Sequence, residues 1–243
     1  MRNNKPKQEK YFLIKAISIL LILIIVVCGF NIAKIAIKYQ KDQQTYKEIS
    51  TYAKGDNINW DELRKINPDI IAWVRIEDTN IDYPIVSAPD NDKYLHTKFN
   101  GEHGDAGALF VDANTTSPFE QFNTIVYGHH MKDGSMFNNL KKFKERDFFE
   151  SHPTYELFTP EQNYTVKILE FYNDTAYSEI YKIKFPSKTE IEKYIEYLND
   201  NAHQLYKNGN VKVDDRIVLL STCAYEFENA RYVLCGKLIP KDK

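Results

Sequence analysis

From Ala16 to Ala33 the chain reads AISILLILIIVVCGFNIA, with Ser18 and Asn31 as its clearly polar side chains. A helix of that length reaches about 27 Å, enough to cross the apolar part of a bilayer. Arg2, Lys5, Lys7, Lys10 and Lys15 precede the run. The positive-inside bias then places a basic tail (1–15) in the cytoplasm, a signal anchor at 16–37 and the remainder outside, as a single-pass type II membrane protein. The competing reading is a cleaved secretory signal. Against it, no small-x-small site follows the run, and Lys34 and Lys38 stand where a cleavage region is neutral. Helical spacing continues through Tyr39, Tyr46, Ile49 and Tyr52 in an otherwise polar stretch, which reads as a helical linker over 38–58.

Asn59 followed by Glu62 forms a capping box for a short helix, Trp60 to Ile66, that ends before Pro68. The texture then changes to short β-rich runs bounded by turn residues: 71–76, 81–86, 107–112, 123–128, 164–172, 216–223 and 231–239. Helical spacing interrupts them at Ser135–Phe143, at Asp147–Phe149 and over Thr189–Tyr206. One strand-dominated domain with added helices, a barrel or sandwich over 59–243, accounts for this pattern.

Charge sharpens the division. Residues 1–41 hold eight Lys or Arg against one acid, and the rest holds 24 against 33. An acidic ectodomain offers no basic field for nucleic acid. Outside the apolar run the cysteines are Cys223 and Cys235, a thiol-poor pattern for an external protein.

Candidate chemistry sits at strand ends. Cys223 closes the apolar run IVLLSTC, and Arg231 opens the next run eight residues later. An antiparallel pair joined this way brings thiol and guanidinium to one rim. A buried small hydrophobe beside a surface Arg fits the same pattern. In TIVYGHHM the strand runs into Gly128, His129 and His130, a place to present an imidazole, although surface histidines or a metal site fit as well. Metal is disfavoured because adjacent histidines do not readily chelate one ion, and neither H-E-x-x-H nor C-x-x-C spacing occurs. Together the three side chains form a nucleophile, a proton carrier and a fixed cation for an oxyanion.

The run Leu219-Leu220-Ser221-Thr222-Cys223 with Arg231 downstream and VYGHHM upstream resembles the sortases, membrane-anchored cysteine transpeptidases of Gram-positive bacteria. Leu219 replaces the first Thr of their Thr-Leu-x-Thr-Cys signature. DNDKYLHTKF, GDAGALFVD, YGHHMKDGSMFNNLKKF and RDFFESHPTYELFTP look specifically like class B. The resemblance implies an eight-stranded sortase-type β-barrel with N-terminal helices and a helix in the connection before the Cys-bearing strand. It implies Cys223 as nucleophile, His129 as general acid and base, and Arg231 as the substrate-orienting and oxyanion-stabilising group. The implied reaction cleaves a C-terminal sorting motif of surface proteins after Thr through a thioacyl-enzyme. The acyl group then passes to an amine of peptidoglycan precursor or a pilin Lys, with no cofactor or metal.

Thr222 belongs to the signature and, with Ser221, is expected to bind substrate. Ser221 shares a strand face with Cys223 and can hydrogen-bond a bound peptide. Asn91, Leu95 and Tyr181 resemble substrate-groove positions. His130 reads as a bystander, His96, His103, His152 and His203 as surface residues, and Cys235 as packing. A thiol hydrolase using the same Cys–His pair, or an anchored binding domain with an inert Cys, remains open. The ionisation state of the pair is also open, since strand burial disfavours thiolate and Arg231 favours it.

Overall fold

The computed structural model describes the backbone from Lys5 to Asp242 and side chains from Lys10 onward. The Met1–Asn4 start of the expected basic tail, with Arg2, and Lys243 lie outside the described residues, as do the Lys5 and Lys7 side chains. A single helix, α1, runs Lys5–Ser50. The chain divides into two compact units, one up to Lys41 and one from Asp42.

In the first unit, α1 exposes apolar side chains around its whole circumference, from Tyr11 through Ile37. Its most apolar window has a mean hydropathy of 2.9. By length and composition this helix can cross a membrane.

The second unit begins within the stretch read as linker. Asp42, Thr45, Tyr46 and Ile49 are buried, at the i, i+3, i+4, i+7 spacing that lines one helix face. Tyr46 donates its hydroxyl hydrogen to the Gly107 carbonyl. Lys98 Nζ, fully buried, lies 3.3 Å from Asp42 Oδ1, 3.0 Å from Thr45 Oγ1 and 2.9 Å from Glu102 Oε2. Residues 42–58 therefore fall within the second compact unit. A small hairpin, β1 (Ala53–Lys54) and β2 (Asn57–Ile58), follows. Next comes α2 (Trp60–Ile66), with the Asn59 side chain accepting from Glu62 N as its capping box requires.

Eight strands close a barrel: β3 (Ile70–Arg75), β4 (Asp82–Ser87), β5 (Leu109–Val111), β6 (Asn123–Tyr127), β7 (Thr154–Phe158), β8 (Asn163–Thr175), β10 (Ile217–Cys223) and β11 (Ala230–Pro240). Their order is β11-β10-β6-β5-β4-β3-β7-β8, and β8 returns to β11 to close the ring. The β6–β10 and β4–β5 pairs are parallel and the others antiparallel. A short edge strand, β9 (Gln204–Lys207), adds to the second half of β8. Between β8 and β9 lie a 3₁₀ turn, Glu179–Tyr181, and α4 (Lys188–Asn199); between β6 and β7 lie a 3₁₀ segment, Phe137–Lys144, and α3 (Arg146–Ser151).

Every β10 residue before Cys223 is buried, and the topology explains the unalternating sequence. One face of β10 looks into the barrel. On the other, Ile217 and Leu219 pack in a cluster with Ile180, Tyr194 and Leu198 from the 3₁₀ turn and α4, so both faces are dry.

Two expectations need correction. The helix read over 189–206 stops at Asn199, and its last residues become β9. There the Asn201 side chain accepts from His203 N and donates to Asp174, turning the chain back to β8. Strand β7 is absent from the sequence reading because TYELF, in a segment crowded with turn residues, alternates too briefly to stand out; Tyr155, Leu157 and Phe158 are nevertheless buried.

Candidate active site

Strands β6 and β10 run side by side in parallel, with Ser221 opposite Tyr127, so their C-terminal ends bring 127–129 and 221–223 to the same rim. Gly128 is required there: a Cβ would come within 2.4 Å of Leu109 Cδ2 and 2.6 Å of Phe137 Cδ2. That close packing turns the following histidine out of the strand. His129 Nε2 lies 2.7 Å from the Leu95 carbonyl oxygen. A carbonyl only accepts, so Nε2 carries the hydrogen and Nδ1 of the neutral ring is left as the basic nitrogen. The backbone of His129 is tied in turn, its carbonyl accepting from Phe137 N at 2.9 Å.

Antiparallel register makes Cys223 and Arg231 direct partners across β10 and β11. Cys223 is half-buried, whereas Cys235 is fully buried, and burial pushes the Cys235 thiol far above its ordinary range. Arg231 is steadied by its NH1, which donates to the Ala230 carbonyl at 2.9 Å.

These three side chains border one open cleft of about 320 Å³, whose walls also include Asn91, Leu95, Tyr181, Ser221 and Thr222. The structure thus brings together every site residue expected from sequence. Tyr181 and Ser221 hydroxyls lie 2.8 Å apart. Burial raises the Tyr181 phenol above its usual range, with the Ser221 hydrogen bond and the Arg231 charge acting the other way, so it is a neutral hydrogen-bonding group. Thr222 is buried and donates to the Gly128 carbonyl at 2.7 Å, which makes it a strut between the strand ends. Asn91 donates from Nδ2 to Asp112 at 3.0 Å and accepts from Ala113 N at 2.9 Å, so its amide orientation is fixed.

Sequence reasoning missed Asp112 and Tyr127. Asp112, almost fully buried, also accepts from the Tyr127 hydroxyl at 3.0 Å and so joins Asn91 to the cleft floor. Burial first, and the Asp112 charge second, hold the Tyr127 phenol neutral. The available signal was positional: Asp112 follows the β5 run LFV as His129 follows β6. His130, read as a bystander, places Nδ1 2.7 Å from the Cys223 carbonyl oxygen. His96 stacks beside His129 with ring centroids 6.2 Å apart. His152 is partnered as well, stacked on Phe148 at 3.8 Å and 3.1 Å from Asp78. Among the described residues no group of three or more His, Cys, Asp or Glu could hold a metal ion.

A half-exposed thiol, an imidazole with a free basic nitrogen and a guanidinium around a hydroxyl-lined cleft are the groups that acyl transfer uses. Comparison with known proteins points the same way. Residues 74–239 match the family described as Sortase domain. The chain is similar to Sortase B of Listeria monocytogenes, 37% identical over 96% of this chain and 99% of that protein. Among solved structures it resembles sortase B from Bacillus anthracis in complex with AAEK1, 34% identical with a TM-score of 0.73 over 84% of this chain and 99% of that one. It also resembles a Staphylococcus aureus sortase B–substrate complex, 25% identical with a TM-score of 0.73 over 85% and 100%.

Proposed function

The chain belongs to the sortase family, in class B, and is a sortase transpeptidase; from that premise we propose how its cleft works and on what. The substrate is the C-terminal sorting motif of a surface protein. With the Cys223 thiol proton on His129 Nδ1, Cys223 Sγ attacks the carbonyl carbon of the motif's Thr, and the resulting oxyanion lies against the Arg231 guanidinium. As the C–N bond breaks, the leaving amine takes a proton from His129 Nδ1, and a thioacyl-enzyme remains. An incoming amine, from peptidoglycan precursor or a pilin Lys, attacks the thioester and gives its proton to His129. Cys223 leaves as thiolate, His129 Nδ1 again holds the proton, and an amide replaces an amide, so the proton count closes over the cycle.

Asn91, Leu95, Tyr181 and Ser221 hold the peptide along the cleft, and Thr222 keeps the two strand ends together. The substrate complex known for the Staphylococcus aureus relative supports a peptide in this groove. Helix α1 anchors the enzyme through 16–37, with the basic tail cytoplasmic and the catalytic domain outside.

The observation that carries this reading is the meeting of Cys223, His129 and Arg231 at one cleft. Its test is mass spectrometry of the enzyme quenched during turnover of a sorting-motif peptide. An acyl adduct mapped to Cys223, ending at Thr, is expected; an adduct on another residue, or none with turnover intact, overturns it.

A further inference from the structure

The ladder between β6 and β10 makes its last backbone rung where Gly128 N donates to the Ser221 carbonyl at 3.1 Å. Beyond it the chain leaves the sheet: the His129 carbonyl accepts from Phe137 N, and His130 bridges to Met136. Two side chains then continue the connection. Thr222 Oγ1 donates to the Gly128 carbonyl at 2.7 Å, and His130 Nδ1 lies 2.7 Å from the Cys223 carbonyl oxygen. Since that oxygen only accepts, Nδ1 carries the hydrogen. The His130 ring therefore occupies the place of the next rung, two residues beyond the Ser221 rung on β10.

We propose that His130 is a positioning residue for the nucleophile: by donating from Nδ1 to the Cys223 carbonyl it fixes the last residue of β10 and aims the thiol into the cleft. This rests on the reading of Cys223 as nucleophile. The ring is itself held, edge-on to Tyr225 with centroids 5.2 Å apart and 6.3 Å from Tyr232. Burial lowers its pKa, which keeps it a neutral donor near pH 7. The adjacent histidines thus hold opposite tautomers. His129 commits Nε2 to a carbonyl and keeps Nδ1 for proton transfer, while His130 commits Nδ1 and carries no transferable proton toward the cleft.

The test compares His130→Ala, His130→Leu and His130→Asn in the full chain in detergent, reading kcat and KM on a fluorescent sorting-motif peptide, the iodoacetamide alkylation rate mapped to Cys223, and Tm. The Asn amide places an N–H where Nδ1 stood, whereas Leu fills similar space without a donor. We expect Ala and Leu to lower kcat about tenfold with KM within about twofold, and Asn to recover most of the loss. Alkylation of Cys223 should change in Ala and Leu and return in Asn. Wild-type kcat and alkylation in His130→Ala, a loss confined to KM, or Asn no better than Leu would each overturn the proposal. If only Ala unfolds, the Asn and Leu pair decides; if no variant folds, His130 is merely structural and the proposal fails. Should the wild-type enzyme cleave no peptide, the function fails on its own, and the alkylation pattern still judges the positioning role.

Discussion

Cys223 and Arg231 face each other as register partners on β10 and β11, so thiol and guanidinium are fixed relative to one another by the sheet and not by the intervening loop. Cys223→Ala is expected to abolish cleavage while leaving peptide binding, and His129→Ala to be nearly as damaging. Arg231→Lys keeps the charge but loses the planar fork, and a loss of at least tenfold in kcat/KM, about 1.4 kcal/mol, is expected. Steady-state kinetics with calorimetric binding checks all three. A fully active Arg231→Lys enzyme would show that only the charge at this position matters.

The Tyr181–Ser221 pair acts as a unit. Each of Tyr181→Phe and Ser221→Ala should lower kcat/KM by about threefold to tenfold, and the double variant should lose less than the product of the two, because both changes remove the same hydrogen bond. A double-mutant cycle reads this directly; strict multiplicativity would mean that the two hydroxyls serve the substrate independently.

Much of this cleft was legible in sequence because its reactive side chains sit where apolar runs stop. IVLLSTC and TIVY are dry strands, and their ends announce Cys223 and His129. The resemblance supplied Asn91, Leu95 and Tyr181, which lie on a loop and two 3₁₀ turns with no periodic signal of their own. What stayed hidden depends on pairing at a distance. Asp112 matters because Asn91 and Tyr127 converge on it, and His130 because the chain turns there toward Met136. The docking of 42–58 was masked by polarity: Asp42 and Thr45 look solvent-facing in sequence, yet they surround the buried Lys98 ammonium.

That buried cluster yields a stability prediction. A chain lacking residues 1–37 keeps Asp42, Thr45 and Tyr46 and should fold and remain active in the absence of detergent. In it, Lys98→Met strips a buried carboxylate of its ammonium, a change of about 3 to 5 kcal/mol, and Tm should fall by about 6 °C or more. Thermal unfolding followed by circular dichroism checks both; an unfolded 38–243 chain or an unchanged Tm in Lys98→Met contradicts the docking described.

Acid should loosen the segment that presents Leu95 to His129. The Lys93 ammonium first, and the Tyr94 hydroxyl second, hold the Asp69 carboxyl below its ordinary range. A lowered folded-state value means that Asp69 stabilises the fold above the unfolded carboxylate pKa, about 3.9, and that this contribution fades as pH falls through the folded value. The stability gap between wild type and Asp69→Asn should therefore be widest near neutrality and shrink below about pH 4. Urea titrations at stepped pH measure it, and a gap constant down to pH 2 would remove Asp69 from the account.

Transpeptidation itself is tested most directly by incubating the full chain in detergent with a fluorescent sorting-motif peptide while an amine nucleophile is titrated. The account predicts that cleavage accelerates with amine and that a ligated peptide, joined through its Thr carbonyl, accumulates at the expense of the free acid; cleavage indifferent to the amine, yielding the acid alone, would contradict it and leave a thiol hydrolase.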